Sequence, residues 1–169
     1  PNVIIVILES FTSKIVQPLG GLPDVASNMN AFSKEGILFT NFYANSFRTD
    51  RGLVSILSGY PAQPTTSIMK YPQRSQSLPS IPKSLKKAGY STEYYYGGDA
   101  NFTNMRSYLL SQGYDRIVCD KDFPLKERLS KWGAPDHYLF NRALSDFLGV
   151  QKEPFFKTIQ TSSSHEPFD

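Results

Sequence analysis

Continuous apolar runs alternate along this chain with segments whose apolar residues recur every three or four positions. Residues 3-VIIVIL-8 are an unbroken run of β-branched residues and leucine, the pattern of a strand buried on both faces of a sheet. Such a run is costly at a rim facing water, so it is expected to be a central parallel strand with almost no exposed side chain. Glu9 stands at its C-terminal end. A helix is predicted over 24-DVASNMNAFSKEG-36, with Asp24 as its N-cap and Gly36 as its stop. The run 37-ILFTNFYAN-45 reads as a second strand. The segment 51-RGLVSILSG-59 has helical length, starts at or near Thr49 and stops at Gly59, ahead of the turn former Pro61.

From there the order helix, turn, strand occurs three times. In 80-SIPKSLKKAGYSTEYYYGG-98 a helix with apolar Ile81, Leu85 and Ala88 stops at Gly89 and a tyrosine-rich strand follows. Residues 103-TNMRSYLLSQG-113 with 114-YDRIVC-119, and 136-DHYLFNRALSDFLG-149 with 154-PFFKTIQT-161, repeat it. Strands separated by helices predict an α/β fold with a mostly parallel central sheet, because right-handed crossovers place helices on both faces.

Composition narrows the function classes. The 169 residues are 40% hydrophobic and 14% aromatic, enough apolar content for one globular domain or a large part of one. The net charge is +3 and the basic residues are interspersed with acids, so the clustered Lys/Arg footprint of a nucleic-acid binder is missing. Cys119 is the only cysteine, which excludes an intrachain disulfide and a thiolate metal cluster. No apolar run approaches the roughly 20 residues that span a bilayer, so the sequence as it stands reads as soluble. It begins on a core strand and stops just after the polar cluster in 161-TSSSHEPFD-169, as a piece of a longer protein would.

In parallel α/β sheets ligands bind off the carboxyl ends of the strands. Three polar groups fall at that edge: Glu9 after the first strand, Thr49 after the strand expected at 37–45, and His165 after the strand at 154–161. Each has a plain structural alternative. Glu9 is a solvated loop acid or cap, Thr49 an N-cap, His165 a surface residue in a serine-rich turn. Together they suggest chemistry. A threonine hydroxyl becomes a nucleophile when a divalent metal on its oxygen lowers its pKa, and the same metal neutralises phosphate charge. The amides and dipole at a helix N-terminus suit an anionic substrate. On this reading Thr49 reacts, and Arg48 and Arg51 hold phosphate or balance nearby carboxylates.

The pieces NVIIVILES, TDRGLVSILSGYP, GYDRIV, KWGAPDHYLFNRAL and SSHEPF resemble the extracellular catalytic domain of lipoteichoic acid synthases and related phosphoglycerol transferases. These belong to the sulfatase branch of the alkaline phosphatase superfamily, and the resemblance runs over essentially the whole chain. It implies that residues 1–169 are the N-terminal portion of a single sulfatase-like catalytic domain, incomplete at the C-terminus. It implies that Glu9 binds the catalytic metal, Mn²⁺ first and Mg²⁺, Ca²⁺ or Zn²⁺ otherwise. It makes Thr49 both metal ligand and nucleophile, and His165 of 165-HEPF-168 a wall of the substrate pocket. Sulfatases proper carry Cys or Ser two residues before a Pro. Counting back ten positions from Gly59 lands on Thr49, and Arg51 occupies the Pro position, so formylglycine is not expected.

Two departures from the family pattern stand out. An Asp-His pair further toward the C-terminus completes the family's metal site, and none is expected before Asp169, so the chain supplies part of that site. The family's His, Trp and Arg substrate contacts align with 96-YGGDANFTNMR-106, where Tyr96, Thr103 and Met105 stand instead. Asp99, Asn101 and Asn104 form either a different polar pocket or a turn. Trp132, in 130-SKWGAP-135, either stacks on substrate or fills a half-buried structural position.

The resemblance implies transfer or hydrolysis of a phosphate-linked head group, of phosphoglycerol or phosphoethanolamine type. The substrate would be an anionic phospholipid or glycan on the outer face of the bacterial cell membrane, with the anchor in segments outside this chain. A sulfuric ester hydrolase and a catalytically silent head-group or glycan binder are the alternatives. Retention of Glu9 and Thr49 together favours the enzyme.

Overall fold

A computed structural model describes residues 1–149 and 152–168. Four strands form one all-parallel sheet: β1 (Val3–Ile7), β2 (Ser91–Tyr96), β3 (Arg116–Val118) and β4 (Phe155–Gln160). Their order is β1-β4-β2-β3, so the last strand in sequence is inserted between the first and the second. The helices are α1 (Ser27–Glu35), α2 (Thr49–Ser58), the single turn α3 (Pro72–Ser75), α4 (Ile81–Lys87), α5 (Met105–Ser111) and α6 (Asp136–Leu148). The chain falls into two compact units, Pro1–Glu9 with Asn45–Asp169, and Ser10–Ala44. The first unit holds the whole sheet. The second is built around α1 and the short 3-10 turns at Ser13–Ile15 and Gln17–Leu19, and Asn30 Oδ1 accepts the Gln17 amide across it at 3.1 Å.

Helices cover both faces of the sheet. On one, Leu53, Val54 and Leu57 of α2 and Tyr108 and Leu109 of α5 meet Tyr94, Ile117 and Phe156. On the other, Leu139 and Ala143 of α6 pack with Tyr95, Val118 and Ile159. That second face also buries a charge. Lys157, 1% exposed, places Nζ 3.3 Å from Glu93 Oε2 and above the rings of Phe147 and Phe155. The Tyr95 hydroxyl donates to the same Glu93 carboxylate, and pairing of this kind makes a buried ammonium tolerable.

Three expectations fail, each for a physical reason. The first strand is not central. β1 pairs with β4 alone, and Ile4 and Val6 are 47% and 45% exposed while Val3, Ile5 and Ile7 pack on the core. An apolar run without periodicity fits a strand with both faces coverable, but it does not say where in the sheet the strand lies. No strand forms at 37–45. Thr40 and Asn41 make a turn there, and Asn45 is held by its side chain, whose Oδ1 accepts from Ser55 Oγ at 3.0 Å and from the Ala62 amide at 2.6 Å. Turn-forming asparagines outweigh the aromatic content of that run. Asp24 is not a cap either: its φ is +59°, and α1 starts three residues later behind Ala26.

Candidate active site

At the carboxyl edge of the sheet, two of the three predicted groups meet. Glu9 lies two residues past the end of β1, and its backbone amide donates to Thr161 Oγ1, just past β4, at 3.0 Å. This hydrogen bond ties the end of the rim strand to its neighbour and fixes where the Glu9 side chain leaves the backbone. Thr49 is the first residue of α2, with Arg48 as an extended N-cap that makes no side-chain cap hydrogen bond. Gly59 ends the helix in the left-handed conformation that glycine adopts without strain. The Thr49 hydroxyl therefore does not cap its own helix. It donates to Glu9 Oε2 at 2.9 Å.

That spacing suits a shared cation. Two oxygens bound at about 2.0–2.2 Å at right angles on one ion stand roughly 3 Å apart. Both donors are oxygen, the ligand type of hard divalent ions. Among the described residues, however, no group of three or more His, Cys, Asp or Glu side chains is arranged to hold a metal. Glu9 and Thr49 thus fit as two ligands of a site whose remaining ligands this constellation does not provide.

An adjacent Asp-His does precede Asp169, contrary to expectation, at Asp136–His137. Its work is structural. Asp136 opens α6, and its carboxylate accepts the amides of Ser162 and Ser163 at 2.7 and 3.1 Å, while its own amide donates to Ser163 Oγ at 2.8 Å. The His137 ring lies on Tyr138, with centroids 4.0 Å apart.

The other predicted residues are more dispersed. Arg48 Nε lies 3.6 Å from Asp50 Oδ1, beyond hydrogen-bond reach, and that buried oxygen has no hydrogen-bond partner. Arg51 turns to the loop after α2, donating from Nη1 to the Pro64 carbonyl at 2.8 Å. It also lines a small pocket with Val54, Tyr60, Gln63 and Ser67. Asp99 and Asn101 bond each other: Asp99 Oδ1 accepts the Asn101 amide at 2.8 Å and its Nδ2 at 3.0 Å, an Asx-type turn. Met105 is a core residue, and Thr103 and Asn104 have φ values of +53° and +64°. His165 meets Trp132, with ring centroids 4.4 Å apart.

Two glycines let these loops approach. A Cβ on Gly97 would stand 2.1 Å from the Ala134 carbonyl oxygen, and one on Gly133 would stand 2.2 Å from the Gly97 oxygen, so the loops after β2 and before α6 touch backbone to backbone. Tyr96, which ends β2, belongs to the same neighbourhood. Burial, then the nearby carboxylates of Glu9, Asp99, Asp120 and Asp136, push its hydroxyl up to about 12. It stays a neutral donor at physiological pH. Sequence reasoning assigned Tyr96 only as a replacement for a family contact, since its closeness to Glu9 depends on the β1-β4-β2 order. Cys119 is buried, and burial pushes its thiol up, so it is no ready nucleophile.

Comparison with known proteins places the chain in a family. The sulfatase family model matches residues 1–169. Lipoteichoic acid synthase 2 of Bacillus subtilis (strain 168) is 28% identical over 174 residues, covering 99% of this chain and 26% of that protein. Phosphoglycerol transferase I of Xanthomonas campestris pv. campestris (strain B100) is 32% identical over 90 residues, which are 49% of this chain and 13% of that protein. A solved structure, a protein in the alkaline phosphatase superfamily from Vibrio parahaemolyticus, superposes with a TM-score of 0.90 at 35% identity, covering 99% of this chain and 41% of its own. The chain thus spans about a quarter or less of the two curated relatives' length.

Proposed function

We propose that this chain, which belongs to the sulfatase family, forms part of a metal-dependent enzyme that transfers or hydrolyses a phosphate-linked head group through Thr49. The head group is of phosphoglycerol or phosphoethanolamine type, carried by an anionic phospholipid or glycan at the outer face of the bacterial cell membrane. The observation that carries this reading is the 2.9 Å hydrogen bond from Thr49 Oγ1 to Glu9 Oε2 at the carboxyl edge of the sheet. A plain N-cap threonine would turn that oxygen to its own helix.

Glu9 and Thr49 would hold a divalent cation, Mn²⁺ in our reading with Mg²⁺, Ca²⁺ or Zn²⁺ as substitutes, which would lower the hydroxyl pKa and neutralise phosphate charge. The chain's own groups do the rest. Glu9 orients Thr49 Oγ1, and the first amides of α2, uncapped by any side chain, face the anionic group. Thr49 Oγ1 gives up its proton, attacks phosphorus and forms a threonine phosphate ester that keeps the head group. The bond from phosphorus to the lipid glycerol oxygen breaks, and that oxygen takes a proton and leaves as the diacylglycerol hydroxyl. An acceptor hydroxyl, or water, then attacks the phosphorus and gives up its proton, and Thr49 recovers its hydroxyl. His165 lines the pocket and Arg48 adds positive charge at its mouth.

The test uses the full-length protein that carries this chain, assayed with phosphatidylglycerol-like and phosphoethanolamine-bearing lipids and added Mn²⁺. Thr49→Ala is expected to keep the fold by thermal melt and to lose at least about a hundredfold in turnover, as loss of a nucleophile demands. Glu9→Gln is expected to follow it, because an amide is a weaker cation ligand than a carboxylate. Full activity in well-folded Thr49→Ala protein would sink the reading. Wild-type inactivity with every donor would favour a silent head-group binder instead.

A further inference from the structure

The Glu166 carbonyl accepts two side-chain hydrogen bonds at once. The Trp132 indole Nε1–H donates to it at 3.1 Å, and His165 Nδ1 lies 2.7 Å from it. A carbonyl oxygen only accepts, so a hydrogen bond there requires the proton on Nδ1. In neutral His165 that leaves Nε2 bare, an acceptor facing away from the clasp. The two rings also touch, with centroids 4.4 Å apart and planes at 58°.

The parts around the clasp are themselves fixed. The Trp132 amide donates to Ser130 Oγ at 3.0 Å, and Ser130 and Gly133 exchange backbone hydrogen bonds at 3.1 Å, closing the turn that carries the indole. The Asp136 carboxylate grips the amides of Ser162 and Ser163, and the His165 amide donates to the Ser162 carbonyl at 3.0 Å. Both ends of the His165 segment are therefore anchored to the loop and helix start at 130–136.

We propose that Trp132 is a positioning residue for His165: through the shared Glu166 carbonyl and the ring contact it fixes the Nδ1–H tautomer and the ring orientation, presenting Nε2 to the substrate. Trp132 then touches no substrate. Its effect on turnover rests on the reading of His165 as a pocket residue given above, whereas its effect on the imidazole does not.

The experiment reads the imidazole directly. The full-length protein is labelled with ¹⁵N-histidine; this chain contributes two histidines, His137 and His165, and the ring signals that His165→Gln removes are the ones that matter. In the wild type, His165 is expected to show a protonated Nδ1 and an unprotonated Nε2 at neutral to mildly alkaline pH. Trp132→Phe keeps a ring but removes the N–H, and is expected to lower the Nδ1–H population. Trp132→Ala removes both supports. It is expected to return His165 to the tautomer mixture of an exposed histidine and to lower turnover about 10- to 100-fold, the scale of a misplaced pocket group. If Trp132→Ala unfolds, Trp132→Phe decides. A wild-type His165 with its proton on Nε2, or an unchanged tautomer in folded Trp132→Phe and Trp132→Ala proteins, overturns the proposal. A tautomer that moves as expected in a protein inactive on every lipid donor upholds the positioning role and removes the functional reading.

Discussion

A threonine opening a helix ordinarily turns its oxygen onto an amide of the first turn, but Thr49 gives its proton to a carboxylate 40 residues earlier in the chain. Ser80 is the counterexample in the same molecule. Its Oγ accepts the Lys83 amide at 3.2 Å, capping α4, and donates to the Gln112 carbonyl at 3.0 Å. The two hydroxyls should therefore separate cleanly under mutation. Ser80→Ala is expected to cost about 1–2 kcal/mol, read as a lower urea midpoint, because it frees one helix amide and one buried carbonyl. Its turnover per folded molecule should stay near normal. Thr49→Ala should show the opposite profile, and a matching pair of midpoints and rates in the two variants would erase the distinction.

Among the elements, those bounded by glycine were legible in the sequence. Gly59, Gly89 and Gly113 have positive φ, and each lies one or two residues beyond the helix it was expected to end. Local chemistry fixes such stops, so a single sequence displays them. Lateral position is different. Whether 3-VIIVIL-8 sits in the middle of a sheet or at its rim depends on partners more than a hundred residues away, and β4 owes its central place to a crossover that no local pattern records. For the same reason Glu9 and Thr49 were readable as candidates, while the Trp132, His165 and Glu166 clasp and the closeness of Tyr96 to Glu9 were not. The junction of β2 and β3 carries an element-scale prediction. Asp115 receives the Thr92 amide at 3.1 Å and hydroxyl at 3.0 Å, and Lys86 Nζ lies 2.5 Å away. Partial burial pushes its carboxyl up, but these partners outweigh it and hold the group below its ordinary 3.8. A depressed carboxyl contributes stability that is present above the ordinary value and is lost as pH falls through the folded one. Asp115→Asn should thus narrow the gap between melting temperatures at about pH 5 and about pH 2, and an unchanged gap would show that the pairing carries no acid sensitivity.

For the whole molecule, the strand order sets a timetable. β2 and β3 lie close in sequence, with Glu93 opposite Arg116, whereas Val3 waits for Phe156 and Ile7 for Gln160. Ordering contacts that distant requires closing the long stretch between them first, which slows folding. Refolding kinetics should therefore give Ile117→Val a φ-value of about 0.5–0.8 and Ile5→Val one near zero, since a nucleus forms where contacts are local. Equal values would mean that the sheet assembles in one step. During synthesis the consequence is sharper. β1 has no partner until residues 155–160 have followed it out of the ribosome, so an aggregation-prone apolar segment stays bare while everything between them is made. Nascent chains halted before Phe155 should then be held by chaperones through residues 3–8, and extending them past Gln160 should release that hold.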